Sequence, residues 1–297
     1  MPELPEVEIY VRALRARTLD QPLLGLRVLS PSLLRTFDPP PTALAGHRVR
    51  EVFRLGKRIG LGFDDDLFAV LHLMIAGRLR WRAAGTAAPK RGAHAAFEFP
   101  SGTLLITEAA TRKRASLHIV RGRAAVLALG RGGIEPLTAS VREFTEALVR
   151  ENRTLKRALT DPRIVSGIGN AHSDEILFLA RLSPARRTRQ LNREELGRLH
   201  DAARTWLSAM VARLAEECGD RFPEKVSAFH PAMSVHGRYG QPCRVCGAPI
   251  QRIVYAQNET NYCARCQTDG RLLADRAFSK LLGADWPRTL DELESES

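Results

Sequence analysis

Lysine is scarce in this 297-residue chain. It occurs only at positions 57, 90, 113, 156, 225 and 280, so arginine supplies 39 of the 45 basic residues. An ammonium is a compact, tunable point charge, so the few positions that keep one stand out as candidates for a site. Long apolar runs are also missing: no stretch approaches 18 uninterrupted apolar residues, which argues against a membrane-spanning helix. The opening Met1-Pro2-Glu3-Leu4-Pro5-Glu6 is acidic and broken by proline, where a secretory leader is basic and then apolar, and a cytoplasmic protein is expected. What is present is an ordinary globular mixture, 44% hydrophobic and 26% charged, which disfavours wholesale disorder and fibrous architectures and leaves room for two or three domains. The formal net charge of +12 points to a polyanionic partner, nucleic acid first, with a solvated basic surface as the bland alternative.

Four of the five cysteines form the pattern Cys243-x2-Cys246, sixteen residues, Cys263-x2-Cys266. Each two-residue gap lets both thiolates of a pair face one ion, and four thiolates close the tetrahedral shell of a structural Zn²⁺. A pair of disulfides is disfavoured in a chain without an export signal. Between the pairs, Ile250 to Tyr255 alternates and Gln257-Asn258-Glu259 reads as a turn before Thr260 to Tyr262, so a zinc-gripped β-hairpin is expected. By itself that hairpin suits a phosphate-contacting finger and a protein-binding zinc ribbon equally well. Cys218 is left over as a partly buried bystander.

Pro5, Glu6 and Glu8 suit the first turn of a helix, and Val7, Val11 and Leu14 share one face of it. From about 48 to 129 the chain turns strand-like at 52–55, 67–73, 95–99, 103–107, 116–120 and 124–129, with Gly56-Lys57 also expected on a strand. Short strands with turns between them favour a β-sandwich or barrel flanked by the N-terminal helix. Beyond Gly132-Gly133 the pattern becomes helical, with helices expected at 141–151, 154–160, 173–180 and 193–217. The glycines of Gly167-Ile-Gly169-Asn170 make a tight turn before a helix whose start is marked by Ser173 and Glu175. That turn is either an ordinary corner or a set of backbone N–H groups able to hold a phosphate. Residues 271–282 have helical spacing, and the last seven residues read as frayed.

Taken in order, Met1 to Glu8, Gly56-Lys57, His72-Leu73 with Gly77-Arg78-Leu79, Asn152 to Lys156, Gly167 to Asn170 and the terminal cysteine hairpin resemble the formamidopyrimidine-DNA glycosylase/endonuclease VIII family over residues 2 to about 275. The resemblance implies an α+β multidomain chain. Its parts are a β-sandwich with a flanking helix at 2–135, a helical domain with a helix–two-turns–helix element at 136–238, a four-cysteine zinc hairpin at 239–270 and a helix or tail at 271–297. It further implies a bifunctional DNA glycosylase and AP lyase acting on double-stranded DNA with damaged bases or abasic sites, as a monomer. After removal of Met1, Pro2 would attack C1′ as a secondary amine, Glu3 would act as general acid/base, and Glu6 would orient or hydrate the site. Lys57 would contact phosphate beside the lesion, as would Lys156 and Asn170, while His72 and Ile75 lie on the segment that fills the vacancy left by an extruded base.

Three departures from the family pattern bear on specificity. Ile75, preceded by Met74, stands where a methionine is usual. Arg112 is kept to face the orphaned base, but Arg114 replaces a phenylalanine wedge. Asn258 replaces the finger arginine, beside Glu259. Residues 221–240 also lack a match to the loop that encloses 8-oxoguanine. A damage- or abasic-DNA-binding relative with little base excision is the competing reading, and a zinc-ribbon transcription or RNA-binding protein the third, although neither gives Pro2-Glu3 a chemical purpose.

Overall fold

The computed structural model describes residues 1–89, 91–227, 229–255, 258–274, 283 and 287–295. They pack as two compact units, Met1–Arg131 with Ala209–Ala228, and Gly132–Ser208 with Phe229–Ser297.

The first unit begins with α1 (Leu4–Thr18), whose Val7, Val11 and Leu14 are all buried, as their spacing requires. Two four-stranded antiparallel sheets follow. One has the order β1 (Gly25–Val28), β6 (Ala93–Phe99), β7 (Gly102–Glu108), β5 (Gly77–Arg82), and the other β2 (Val49–Leu55), β3 (Arg58–Phe63), β4 (Leu67–His72), β8 (Ser116–Arg121). Their inner faces and α1 share one core that includes Leu61, Leu71, Phe97 and Ile106. This is the expected sandwich with its flanking helix.

Strands β1, β3 and β5 escape the alternation pattern. In β3 the glycines of Arg58-Ile-Gly-Leu-Gly-Phe63 dilute it, yet a Cβ on Gly60 would come within 2.2 Å of the Phe53 ring, so close packing selects the glycine. Gly56 and Lys57 occupy the turn between β2 and β3 rather than a strand. The expected strand at 124–129 is instead helix α2 (Arg123–Ala128). Its alanines favour helix, and only Val126 is buried, against Phe68 and Val70.

The second unit contains α3 (Val141–Val149), α4 (Leu155–Thr160), α5 (Asn170–Leu179) and the first part of α6 (Arg193–Cys218). Helix α5 starts three residues earlier than expected, capped at Gly169. Ser173 donates its hydroxyl to the Gly169 carbonyl, and Glu175 is drawn into tertiary bonds, so neither marks the helix start. Strands β9 (Ile250–Tyr255) and β10 (Asn258–Cys263) form the hairpin, with Asn258 paired to Tyr255. Asn258 and Glu259 thus lie in a strand, while Gln257 of the expected turn is outside the described residues. Helix α7 (Ala264–Thr268) follows. The expected helix at 271–282 lies largely outside the described residues, and the tail expected to fray forms α8 (Leu290–Ser295), anchored by buried Leu290. Among the described residues no helix is long and apolar enough to cross a membrane.

Candidate active site and nucleic-acid interface

In the first unit, Pro2 and Glu3 are buried just ahead of α1. Met1 still precedes Pro2, so the proline nitrogen is an amide here and stands in for the amine that removal of Met1 would expose. Glu3 caps α1 and is 3% exposed. Its backbone N–H donates to Glu6 Oε2 at 2.8 Å, completing a reciprocal capping box. Glu6 therefore fixes the backbone that carries Glu3. Burial lowers the pKa of the chain's amino terminus below its usual value, opposed by Glu3 and Glu6 and reinforced by Arg78 and Lys57. Those four charges share one neighbourhood with the terminal amine.

Two clamps hold that neighbourhood. Arg54, 7% exposed, donates to Glu8 at 2.5 Å and to the Gly56 carbonyl at 3.2 Å, tying α1 to the turn that carries Lys57. Glu8 is thus a tertiary partner rather than only a first-turn helix charge. Arg78 donates to the carbonyls of Ile75 at 3.1 Å and Gly77 at 2.7 Å, tying the β4–β5 loop to the amine site. In that loop Met74 sits at φ +54 and Ile75 projects 55% exposed, so Ile75 is the outward residue of the pair. A side chain on Gly77 would meet the Leu73 carbonyl at 2.3 Å, which is why the tight turn ends in glycine. His72 is half-buried at the end of β4. Arg112 and Arg114 are exposed on the loop after β7. Its backbone is pinned by Glu108, 2% exposed, which accepts the amides of Arg114 at 3.0 Å and Ala115 at 3.2 Å.

In the second unit, Lys156 donates to the Asn170 carbonyl at 2.6 Å and to buried Asp174 at 2.5 Å. Asn170 donates from its side chain to the Glu259 carbonyl at 2.7 Å, which joins the start of α5 to the zinc hairpin. The structure brings Lys156 and Asn170 together, while Asn258 is exposed on the hairpin. Glu175 accepts the backbone amides of Ser234, Val235 and His236 at 2.8 to 2.9 Å; burial pushes its carboxyl up and these donors pull it back. The tertiary roles of Asp174, Glu175, His236 and Arg54 are not legible in the sequence because their partners Lys156, residues 234–236, Asn261 and Glu8 are distant in the chain. A buried charge inside an otherwise apolar segment is the one signal each of Asp174, Glu175 and Glu108 offers.

The four cysteine sulfurs lie within 4.8 Å of one another, with Cys246–Cys263 at 3.4 Å and Cys243–Cys266 at 4.0 Å. Thiolates about 2.3 Å from a tetrahedral Zn²⁺ are about 3.8 Å apart, so the set fits that ion. Burial pushes the thiols of Cys263 and Cys266 up, the latter to about 11, so a cation is needed to hold these sulfurs as thiolates. Cys243, Cys246, Cys263 and Cys266 hold one structural zinc.

Residues 1–116 match the formamidopyrimidine-DNA glycosylase N-terminal domain, 133–219 the H2TH domain of the same enzymes, and 240–268 the zinc finger found in FPG and IleRS. The formamidopyrimidine-DNA glycosylase of Heliobacterium modesticaldum is 36% identical over 284 residues, covering 90% of this chain and all of the relative. That of Thermus thermophilus is 36% identical over 279 residues, covering 91% of this chain and all of the relative. Among solved structures, Lactococcus lactis Fpg bound to abasic-site DNA superposes with a TM-score of 0.79 at 27% identity, covering 90% of this chain and 99% of that one. MutM in complex with DNA containing carbocyclic 8-oxo-G gives 0.79 at 26%, covering 90% and 100%. With all three domains matched in order and relatives covered end to end, this chain belongs to the formamidopyrimidine-DNA glycosylase family.

Proposed function

We propose that this chain is a DNA N-glycosylase of base excision repair with AP-lyase activity, and that Pro2 is its nucleophile once Met1 is removed. The observation that carries the reading is the burial of Pro2-Glu3 at the capped start of α1, with Lys57 and Arg78 beside the amine. A generic α-amine has a pKa near 8, about two units below lysine; a proline ring makes its amine more basic than that, and burial, which lowers the Met1 amine at this place, acts against the rise.

The Pro2 nitrogen forms a bond to C1′ of the damaged nucleoside as the glycosidic bond breaks, and the base leaves with the bonding electron pair and takes up the proton that the nitrogen gives up. Glu3 gives its proton to the sugar ring oxygen, the ring opens, and the nitrogen lone pair completes an iminium at C1′. Loss of a C2′ proton then expels the 3′ phosphate and nicks the strand. Glu6 holds the Glu3 backbone through the capping box. Lys57 takes the phosphate beside the lesion, and Ile75, on the loop that follows His72, enters the vacancy. Arg112 faces the orphaned base, and Arg114 stacks where the base is extruded. Lys156 and Asn170 hold the backbone of the damaged strand next to Asn258 of the hairpin, whose fold the zinc secures. Residues 2–135 carry the chemistry, 136–238 and 239–270 the grip on DNA, and 271–297 the tail. The protein works as a monomer in the bacterial cytoplasm, on the nucleoid when engaged.

The test is borohydride trapping on duplexes carrying an abasic site, 8-oxoguanine, a formamidopyrimidine or an oxidised pyrimidine, after mass spectrometry confirms removal of Met1. A covalent adduct that disappears in Pro2→Gly is expected, and its lesion dependence ranks the substrates. Tight binding with no adduct on any duplex would overturn the catalytic reading in favour of a damage-binding protein, which Arg114 and Asn258 favour.

A further inference from the structure

The outer face of the β2-β3-β4-β8 sheet carries an apolar cluster and a basic one side by side. In the first, Phe68 and Val70 are covered by Val126 of α2, with Phe53, Leu55, Val120 and Leu129 around them. In the second, at the edge of that cluster, the strand register sets Arg58 between Leu55 and His72, and His72 opposite Ser116. Directly opposed residues share a face, as do residues two apart on one strand, so His118 joins them. Arg131, three residues beyond α2, completes the cluster electrostatically. Arg58 is pushed down by burial and then by Arg131. His72 is lowered to about 4 by burial, then by Arg58, Lys57, His118 and Arg131. His118 is lowered by burial, then by Arg58 and Arg35. The charges acting most strongly on these two histidines are all basic.

Among the described residues, Arg58 Nε and His72 Nε2 are buried without a hydrogen-bond partner, and no carboxylate pairs with Arg58, His72, His118 or Arg131. Desolvated donors packed with like charges are costly in the free protein, and an anion that accepts from them removes the cost. The end of the sheet that carries the cluster is also where the Gly56-Lys57 turn, the loop of Met74 and Ile75 and the loop of Arg112 and Arg114 emerge. An anion bound here is continuous with the residues proposed to meet DNA.

We propose that Arg58, His118 and Arg131, together with His72, form a phosphate pocket on the outer face of this sheet, occupied by a backbone phosphodiester of bound DNA distinct from the one at Lys57. The inference rests on the DNA-glycosylase reading but adds three ligands that the family resemblance does not supply. A phosphate accepting from both imidazoles draws protons onto them, so binding takes up protons and strengthens as pH falls.

The experiment is fluorescence anisotropy of a duplex containing a tetrahydrofuran abasic analogue, titrated with salt for the wild-type chain, Arg58→Met, Arg58→Lys and Arg131→Met. Each methionine variant is expected to weaken binding several-fold and to reduce the slope of log K against log salt by about 0.9, with Arg58→Lys retaining the wild-type slope. Wild-type affinity is expected to rise between about pH 8 and pH 6, and His118→Asn to flatten that rise. Arg131 is exposed, so its variant reports even if Arg58→Met folds poorly. Wild-type binding and trapping with unchanged slopes in Arg131→Met and in folded Arg58→Met overturns the pocket alone. Inorganic phosphate that raises wild-type Tm while both DNA slopes stay unchanged overturns DNA as the occupant. A wild-type chain that neither binds nor traps DNA overturns the glycosylase reading as well.

Discussion

The carboxylate of Asp174, fully buried on α5, holds the ammonium of Lys156 at 2.5 Å. Its second oxygen accepts from the Asn261 amide at 3.1 Å and lies 2.8 Å from His236 Nδ1. With the Asn170 carbonyl also accepting from Lys156, two of the three ammonium protons are committed and the third is aimed by the first two. Removing one partner of a buried pair leaves the other desolvated and unpaired. Asp174→Ala is expected to lose about 3 kcal/mol of stability in urea unfolding and to weaken DNA binding broadly across sequences.

Glu108 does the corresponding work for the loop of Arg112 and Arg114. Its removal strands the half-buried amide of Arg114 and the buried amide of Ala115, while the Lys113 ammonium keeps its bond to the Glu108 backbone carbonyl at 2.7 Å. Glu108→Ala is expected to cost about 1 to 3 kcal/mol in stability. Trapping on an abasic duplex, which needs no base extrusion, is expected to suffer less than excision from an intact lesion duplex.

The zinc prediction is direct. Cys246→Ser is expected to reduce bound metal from one ion per chain to a small fraction, read by elemental mass spectrometry. Chelation of the wild-type chain is expected to abolish DNA binding, because β10 carries the Glu259 carbonyl that accepts from Asn170.

Stability should also report on His72. Its pKa in the folded chain, about 4, lies below the usual 6.5, so between those values the unfolded chain binds more protons. The free protein is expected to keep its full stability above about pH 6.5 and to lose on the order of 2 kcal/mol as pH falls towards 4. A series of urea midpoints against pH should show that loss, and His72→Gln should remove it.

Much of the fold was legible because local chemistry and tertiary context agree. The helix face of Val7, Val11 and Leu14 and the strand of Ile250–Tyr255 appear where their side-chain periods put them, and the strand expected at 95–99 lies within Ala93–Phe99, buried on both faces at 94–97. Residues 124–129 went the other way: apolar residues of high helix propensity cannot be told from a buried strand by period alone, and the sheet face beneath Val126 decided it. The start of α5 was misplaced for a related reason, since Ser173 and Glu175 have capping chemistry but spend it on Gly169 and on the backbone of 234–236.

The sequence by itself determined the family, the zinc ligands and the Pro2-Glu3 start, because each depends on residues adjacent in the chain or at fixed short spacing. Only the tertiary structure decided how those parts are held. Arg54 reaches Glu8 and Gly56, Arg78 clamps the Ile75 loop, Asp174 joins Lys156 to His236, and Arg58 is set opposite His72 and on one sheet face with His118. Charges separated by tens of residues acquire a shared desolvated environment only when strands and helices pack. Which arginine is a clamp and which part of an anion pocket is therefore set by burial and register rather than by residue type.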